Sequence, residues 1–289
     1  MDSVTLLRKN REPGAYRVRE NKKGDVCYLT FPVFDALTGF THGFSTRAGG
    51  VSTGIFSSMN LTTNRGDSRE NVWENFRRLS DAAGFSLDSV TCSHQTHTTN
   101  VRVMTREDRG GGLTKDRTWQ DVDGMVTDVP DLTLMTFYAD CIPLFFIDPV
   151  RRAIGLSHSG WRGTVGKIGL KTVTLMQKEF GSDPKDIYAA IGPGICADCY
   201  EISEDVAVQF REAFAGNVLP EILFPASAGK YRLDLWRANE LILKEAGIPA
   251  SQIEVTDICT CCNPKQLFSH RASGGNRGNL AGFLRLEPD

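Results

Sequence analysis

Apolar residues recur at helical spacing in four stretches of the chain. Val72, Phe76, Leu79 and Ala83 share one stripe. Asp67, with Glu70 three residues on, is placed to cap that helix, and Gly84 to stop it. Val165, Ile168, Val173, Met176 and Phe180 form a second stripe, ended by Gly181. Ser203 opens a third helix through Phe210 and Phe214. Asp234 opens a fourth through Trp236 and Leu241, ending at Gly247. Strands are expected at residues 41–45, 100–104, 132–138, 144–148, 153–158, 187–191 and 253–256. The three central runs are almost continuously apolar, as strands buried on both faces are. Helices covering a mostly buried mixed sheet follow, an α/β (α+β) fold.

No linker, repeat or low-complexity segment interrupts this pattern. Residues 1–289 therefore read as one catalytic domain, with the polar residues 1–25 as a loosely attached N-terminal extension. The first residues, MDSVTLLRKNREPG, hold no apolar core of signal-peptide length. The most apolar stretch, residues 132–147, is broken by Asp140 and Pro143 and is shorter than the ~18 residues of a membrane span. A cytoplasmic location is the expectation.

Composition changes this picture little. The chain is 289 residues long, 40% hydrophobic and 24% charged, with a net charge of −2. Nothing in that balance suggests a nucleic-acid or membrane-surface partner. In a reducing compartment the 8 cysteines are expected as thiols, metal ligands or catalytic groups rather than disulfides.

All 5 histidines lie at strand ends or in loops, where function concentrates on a rigid scaffold. His94 and His97 lie in SHQTHTTNV, His158 in GLSHSGWRGT, His42 in THGFSTRAGG and His270 in FSHRASGGNRGN. Cys141 sits in FYADCIPLFF, in a tight link between two buried strands. Pairing those strands with each other, and the second with the strand ending at His158, brings Cys141 near His158; the sequence leaves the register open. One thiolate with imidazoles suits zinc or copper, and three ligands with an open fourth position mark a catalytic zinc. The spacing of His97, Cys141 and His158 matches no short zinc motif, so a buried thiol with satisfied histidines competes with the metal reading.

Cys196-x-x-Cys199 and Cys259-x-x-Cys262 form a rival set of four thiols. The two pairs stand about sixty residues apart, far beyond the ~15–20 of zinc ribbons. Arg47, Arg162, Arg271 and Arg277 each lie near glycine, a pairing that suits an anion such as phosphate but also occurs in ordinary surface turns.

QTH at 95–97, ADC at 139–141, HSGWRG at 158–163, IGPGI at 191–195, CYEI at 199–202 and FSHR at 268–271 occur in one order. Together they resemble the laccase-domain family, also called multicopper polyphenol oxidoreductases and now described as purine nucleoside phosphorylases. The resemblance runs from about Thr41 to Leu286. It implies a single α/β domain with a sheet sandwich flanked by helices. It implies a metal, Zn2+ or alternatively Cu2+, held by His97, Cys141 and His158. It also implies phosphorolysis of adenosine, inosine and S-methyl-5'-thioadenosine to free base and ribose 1-phosphate, with adenosine deamination as a further activity. It implies that Cys196, Cys199, Cys259 and Cys262 form no zinc site.

The chain departs from the family at His270, where tyrosine is common, and at Gly278-Asn279-Leu280, where Gly-Arg-Met is common. An arginine's role there passes to Arg277 or is absent. Within the expected site, Arg47 is first choice for clamping phosphate and Arg162 second, and Asp140 is placed to orient a ligand imidazole. The partners implied are purine nucleosides and phosphate, acting on a monomer or small homo-oligomer. Three other classes stay open: a copper-dependent phenol oxidase, a metal-free Cys141–His158 nucleophile and base, and a binding module with a structural zinc.

Overall fold

The apolar runs are buried on both faces because they lie in the middle of a layered stack. All seven residues of the strand Ile142–Asp148 are buried. Successive side chains point to opposite faces of a strand. Leu144 and Phe146 accordingly join an apolar cluster beneath the helices, with Val173, Met176, Trp236 and Ile242. Phe145 and Ile147 join a second cluster between two sheets, with Leu134, Ile154, Leu156 and Leu284. A third cluster lies under the helix Arg69–Ala83, where Val72, Phe76 and Leu79 meet Met135 and Phe283. The result is helix, sheet, sheet, helix, as expected of a mixed sheet sandwich flanked by helices.

The computed structural model describes residues 6–9 and 17–288. One six-stranded sheet runs in the order Arg19–Lys23, Val26–Thr30, Phe40–Ser45, Leu280–Leu286, Leu132–Tyr138, Val90–Cys92. The other runs Ile253–Val255, Tyr188–Ile191, Ile142–Asp148, Ala153–Ser159, Gly124–Thr127, Val101–Val103. A small third sheet joins Glu201–Ser203, Lys230–Leu233 and Leu223–Pro225. No helix among the described residues is long and apolar enough to cross a membrane.

Several expectations change. The strands Leu132–Tyr138 and Ile142–Asp148 do not pair; they belong to different sheets, and Ala139–Asp140–Cys141 carries the chain across. The pairing of Ile142–Asp148 with Ala153–Ser159 does hold, with Pro143 opposite His158. The first helix is capped by Ser68, whose side chain accepts from the Asn71 amide, rather than by Asp67. The second stripe is two helices, Trp161–Val165 and Ile168–Phe180. Lys167 takes a left-handed conformation between them, and Gly166 packs so close to Thr99 that a Cβ there would stand 2.5 Å from its methyl group. Residues 1–25 are not loosely attached where the structure describes them. Leu6 is buried, Arg8 pairs with Asp257 at 2.8 Å, and Arg19–Lys23 forms a strand. Residues 1–5 and 10–16 of that segment lie outside the described residues.

Candidate metal centre and its cleft

Asp123, wholly buried, organises the site. Its carboxylate accepts hydrogen bonds from the backbone amides of Thr96 (3.2 Å), His97 (3.1 Å) and Thr98 (2.8 Å), and from the Thr98 hydroxyl at 2.9 Å. Three consecutive amides converging on one carboxylate bend the chain, and His97 sits in the left-handed region at φ 64°. Gln95 pins the same loop to the strand edge, donating to the Phe137 carbonyl and accepting from the Phe137 amide, each at 2.7 Å. The Asp123 Oδ1 atom also lies 2.8 Å from His158 Nδ1. That contact leaves His158 Nε2 for a ligand role.

The crossover between the sheets delivers Cys141, and the end of Ala153–Ser159 delivers His158. Donor atoms of His97, Cys141 and His158 all lie within 4.8 Å of one another, with Cys141 Sγ 3.9 Å from His97 Nε2. Burial alone would push the Cys141 thiol up. The imidazoles of His158 and His97 outweigh that and hold it at about 6. Burial would push His158 down, yet Cys141 and Asp123 raise it to about 9. Asp123 is held below the usual carboxylate range: burial opposes, but His158 and the Thr98 donors prevail.

These residues fit a single tetrahedral ion. Zinc at about 2.3 Å from sulfur and about 2.0 Å from nitrogen sets its ligands roughly 3.3–3.6 Å apart, a contraction of a few tenths of an ångström from the 3.9 Å between Cys141 Sγ and His97 Nε2. Gly160 completes the cradle, since a Cβ at that position would stand 3.1 Å from both Cys141 Sγ and His97 Cδ2. The donor set suits zinc or copper.

The trio opens onto a cleft of about 820 Å³. Five cationic side chains line it: Arg65, Arg69, Lys115, Arg117 and Arg277. Arg277 is pushed down to about 10, first by burial and then by the neighbouring charge of Arg65; its Nη1 donates to the Gly278 carbonyl and the Asn279 side chain, and its buried Nε has no partner. Trp73, Phe76 and Phe137 supply an apolar wall, and Trp73 remains 46% exposed.

The other expected site residues fall elsewhere. Arg47 donates to the carbonyls of Ser57 and Pro264, each at 2.6 Å, and lies over Phe268. Arg162 lies over the Trp161 ring. Neither lines the cleft. Asp140 turns away from the imidazoles; its oxygens accept from the Thr260 hydroxyl and the Arg271 amide, each at 2.7 Å. The orienting carboxylate is Asp123 instead. Arg271 donates to the carbonyls of Cys199 and Glu201. His42 is half-buried, accepts from the Phe31 amide and is pushed down by burial to about 4. Asp123, Arg65, Arg69, Lys115 and Arg117 were not anticipated; no motif marks them, because only the fold brings them together.

The model of the multi-copper polyphenol oxidoreductase laccase family matches residues 41–287. The purine nucleoside phosphorylase YlmD of Geobacillus stearothermophilus is 38% identical over 252 residues, covering 86% of this chain and 90% of that protein. A purine nucleoside phosphorylase of Deinococcus radiodurans is 38% identical over 245 residues, covering 85% of this chain and 88% of that protein. The crystal structure of Geobacillus stearothermophilus YlmD superposes with a TM-score of 0.87 at 36% identity, covering 93% of this chain and 99% of the other.

Proposed function

This chain belongs to the multi-copper polyphenol oxidoreductase laccase family, whose curated relatives include purine nucleoside phosphorylases, and on that premise we propose that it cleaves purine nucleosides with phosphate. The observation that carries this reading is the cleft, in which five cationic side chains stand beside the His97–Cys141–His158 trio. A phenol oxidase has no use for so many cations; a site that brings phosphate to a ribose needs them.

The substrates proposed are adenosine, inosine and S-methyl-5'-thioadenosine. Phosphate oxygen forms a bond to C1′ while the C–N bond to the purine breaks; the base leaves with that electron pair and takes a proton. Arg277, with Arg65 beside it, holds the phosphate oxygens. Trp73, Phe76 and Phe137 give the base an apolar wall on which to stack. His94 Nδ1 accepts from the Asp121 amide at 3.0 Å, so a neutral His94 carries its hydrogen on Nε2 and offers it as a hydrogen bond to the departing base, whose proton comes from solvent. Zinc, held by His97, Cys141 and His158, supplies Lewis acidity when bound. Asp123 keeps both imidazoles in place for it.

Adenosine deamination at the same centre is a finer proposal. Copper-dependent phenol oxidation is the second reading, favoured by a donor set that also accepts copper. One experiment tests all three. Protein of known metal content is given inosine, adenosine and S-methyl-5'-thioadenosine with and without phosphate, and phenols with and without copper. The expected outcome is hypoxanthine and ribose 1-phosphate from inosine only when phosphate is present. Untouched nucleosides together with fast phenol turnover by the copper form would replace this reading with the oxidase.

A further inference from the structure

The two CxxC pairs lie about sixty residues apart in sequence, yet the sheet erases that distance. The strands Tyr188–Ile191 and Ile253–Val255 are parallel neighbours, with Ile191 opposite Val255. The chain therefore leaves both strands at the same end. The pairing continues beyond them: Gly194 bridges to Cys259, and the Thr260 amide donates to the Gly194 carbonyl at 3.0 Å. Cys196-x-x-Cys199 and Cys259-x-x-Cys262 thus emerge side by side. Their four sulfurs all lie within 4.8 Å of one another.

Three bland readings fit less well. Cys199 Sγ and Cys262 Sγ stand 3.5 Å apart, well beyond the ~2.05 Å of a disulfide, and all four cysteines are free thiols. That spacing is close to the roughly 3.8 Å edge of four sulfurs around one zinc at about 2.3 Å. Chance packing of core thiols does not account for the surrounding donors. The Cys196 amide donates to Cys259 Sγ at 3.3 Å. The Cys199 amide is directed at the Cys196 sulfur, and the Cys262 amide at that of Cys259. The Cys199 amide also closes a tight turn onto the Cys196 carbonyl at 3.0 Å. Amides aimed at sulfur from within each CxxC turn stabilise thiolates, the form that binds metal. Nor is the cluster a reactive redox pair open to solvent, since Cys196 and Cys259 are buried. Lys9 adds a positive charge near Cys196 and Cys262 while pairing with Asp198 at 2.9 Å. A four-thiolate zinc carries a net charge of −2, and a nearby ammonium offsets part of it.

Against the expectation from the family resemblance, we propose that Cys196, Cys199, Cys259 and Cys262 bind one Zn2+ in a closed tetrahedral site, separate from the His97–Cys141–His158 trio. Four protein ligands leave no open position, so the ion is structural. Binding turns four thiols into thiolates and releases their protons to solvent. The ion clamps the loop after Tyr188–Ile191 to the loop after Ile253–Val255. Both loops hold the crossover that carries Cys141: the Ile195 amide donates to the Asp140 carbonyl at 2.9 Å, and the Thr260 hydroxyl to the Asp140 carboxylate at 2.7 Å. The clamp thus braces the floor of the other centre without touching it.

The test begins with the full-length protein purified from zinc-containing medium. Native mass spectrometry should find a zinc that persists in the His97→Ala variant, with X-ray absorption in that variant showing an all-sulfur shell at about 2.3 Å. Replacing Cys199 and Cys262 together by serine should remove this zinc. As a check that needs no variant, the half-buried Cys199 and Cys262 should react with iodoacetamide at least about tenfold more slowly than half-buried Cys261, and the difference should vanish after chelation. A His97→Ala protein that binds no zinc, iron in place of zinc, a mass showing disulfides among these four cysteines, or equal labelling of Cys199, Cys261 and Cys262 would each overturn the assignment.

Discussion

Asp123 Oδ1 and His158 Nδ1 lie 2.8 Å apart, both residues almost wholly out of contact with solvent. The same carboxylate gathers the Thr96, His97 and Thr98 amides, so one side chain positions two of the three expected metal ligands. Replacing Asp123 by asparagine keeps an oxygen for some of these donors but puts an amide group where the others point. Partners behind metal ligands commonly contribute 10–100-fold to affinity, so Asp123→Asn should weaken zinc binding by about that factor. Competition with a chromogenic chelator measures it. Unchanged affinity in a folded Asp123→Asn protein would mean that the imidazoles are held by something else.

The cleft arginines make a contrasting pair of predictions. Arg277 lines the cleft, is crowded by Arg65, and has an unpartnered Nε. Removing a charge-assisted contact to phosphate costs about 1.5–3 kcal/mol, so Arg277→Ala should raise the KM for phosphate roughly 10–150-fold. Arg47 is tied to two loop carbonyls and lies over Phe268. Arg47→Ala should lower the melting temperature and leave the phosphate KM near that of the unaltered protein. Steady-state kinetics over a phosphate series separates the two. A large phosphate effect at Arg47 with none at Arg277 reverses the assignment.

How far the sequence reached follows from which contacts were local. The run 132–138 coincides with Leu132–Tyr138, and the helix-ending glycines Gly84 and Gly181 both sit in left-handed caps, because periodicity and caps are written in neighbouring residues. His97, Cys141 and His158 meet as the resemblance implied. The residues behind them were not legible. Asp123 acts across gaps of about 25 and 35 positions, and no periodicity records that a buried aspartate will face three amides. Arg47 resembled a phosphate clamp because an arginine beside glycine reads the same whether its fork meets an anion or two carbonyls. The crossover was misplaced for a similar reason: an apolar run buried on both faces does not say which sheet it joins. The four scattered cysteines came together only through the parallel pairing of two short strands, one of the weakest patterns in a sequence.

Glu254 should make stability fall with rising pH. It is wholly buried, its Oε2 accepts from the Val33 amide at 2.8 Å, and its Oε1 has no partner. Burial raises its carboxyl to about 8, with Asp257 adding to the effect. An acid whose folded value is raised stays protonated in the fold while the unfolded chain ionises. Its favourable protonated state is fully available below the unfolded value near 4.5, and stability is lost as pH rises from there toward about 8. Glu254→Gln keeps the acceptor for Val33 and cannot ionise. Denaturant unfolding at several pH values should show the variant more stable by on the order of 1–4 kcal/mol at pH 8, with little difference at pH 4.5. A variant less stable at pH 8 would show that the ionised carboxylate is accommodated after all.

Gly160 offers a direct probe of the metal cradle. Its backbone, at φ −73° and ψ −179°, suits any residue, so alanine adds no backbone strain there. What alanine adds is one methyl group, 3.1 Å from Cys141 Sγ and 3.1 Å from His97 Cδ2. Those atoms belong to two different ligands, and moving either away opens a geometry that already needs to contract to hold zinc. Metal sites lose function when ligands are displaced by about 0.5 Å. Gly160→Ala should therefore bind zinc at least about tenfold more weakly and lose phosphorolysis in proportion. Its metal-stripped form should unfold within about 1 kcal/mol of the metal-stripped parent, since the change leaves the fold intact. Zinc titration and thermal unfolding, run on the same stripped samples, separate the two effects. Full zinc affinity in Gly160→Ala would show that the ligands can shift without cost, and that the close approach of the glycine plays no part in shaping the site.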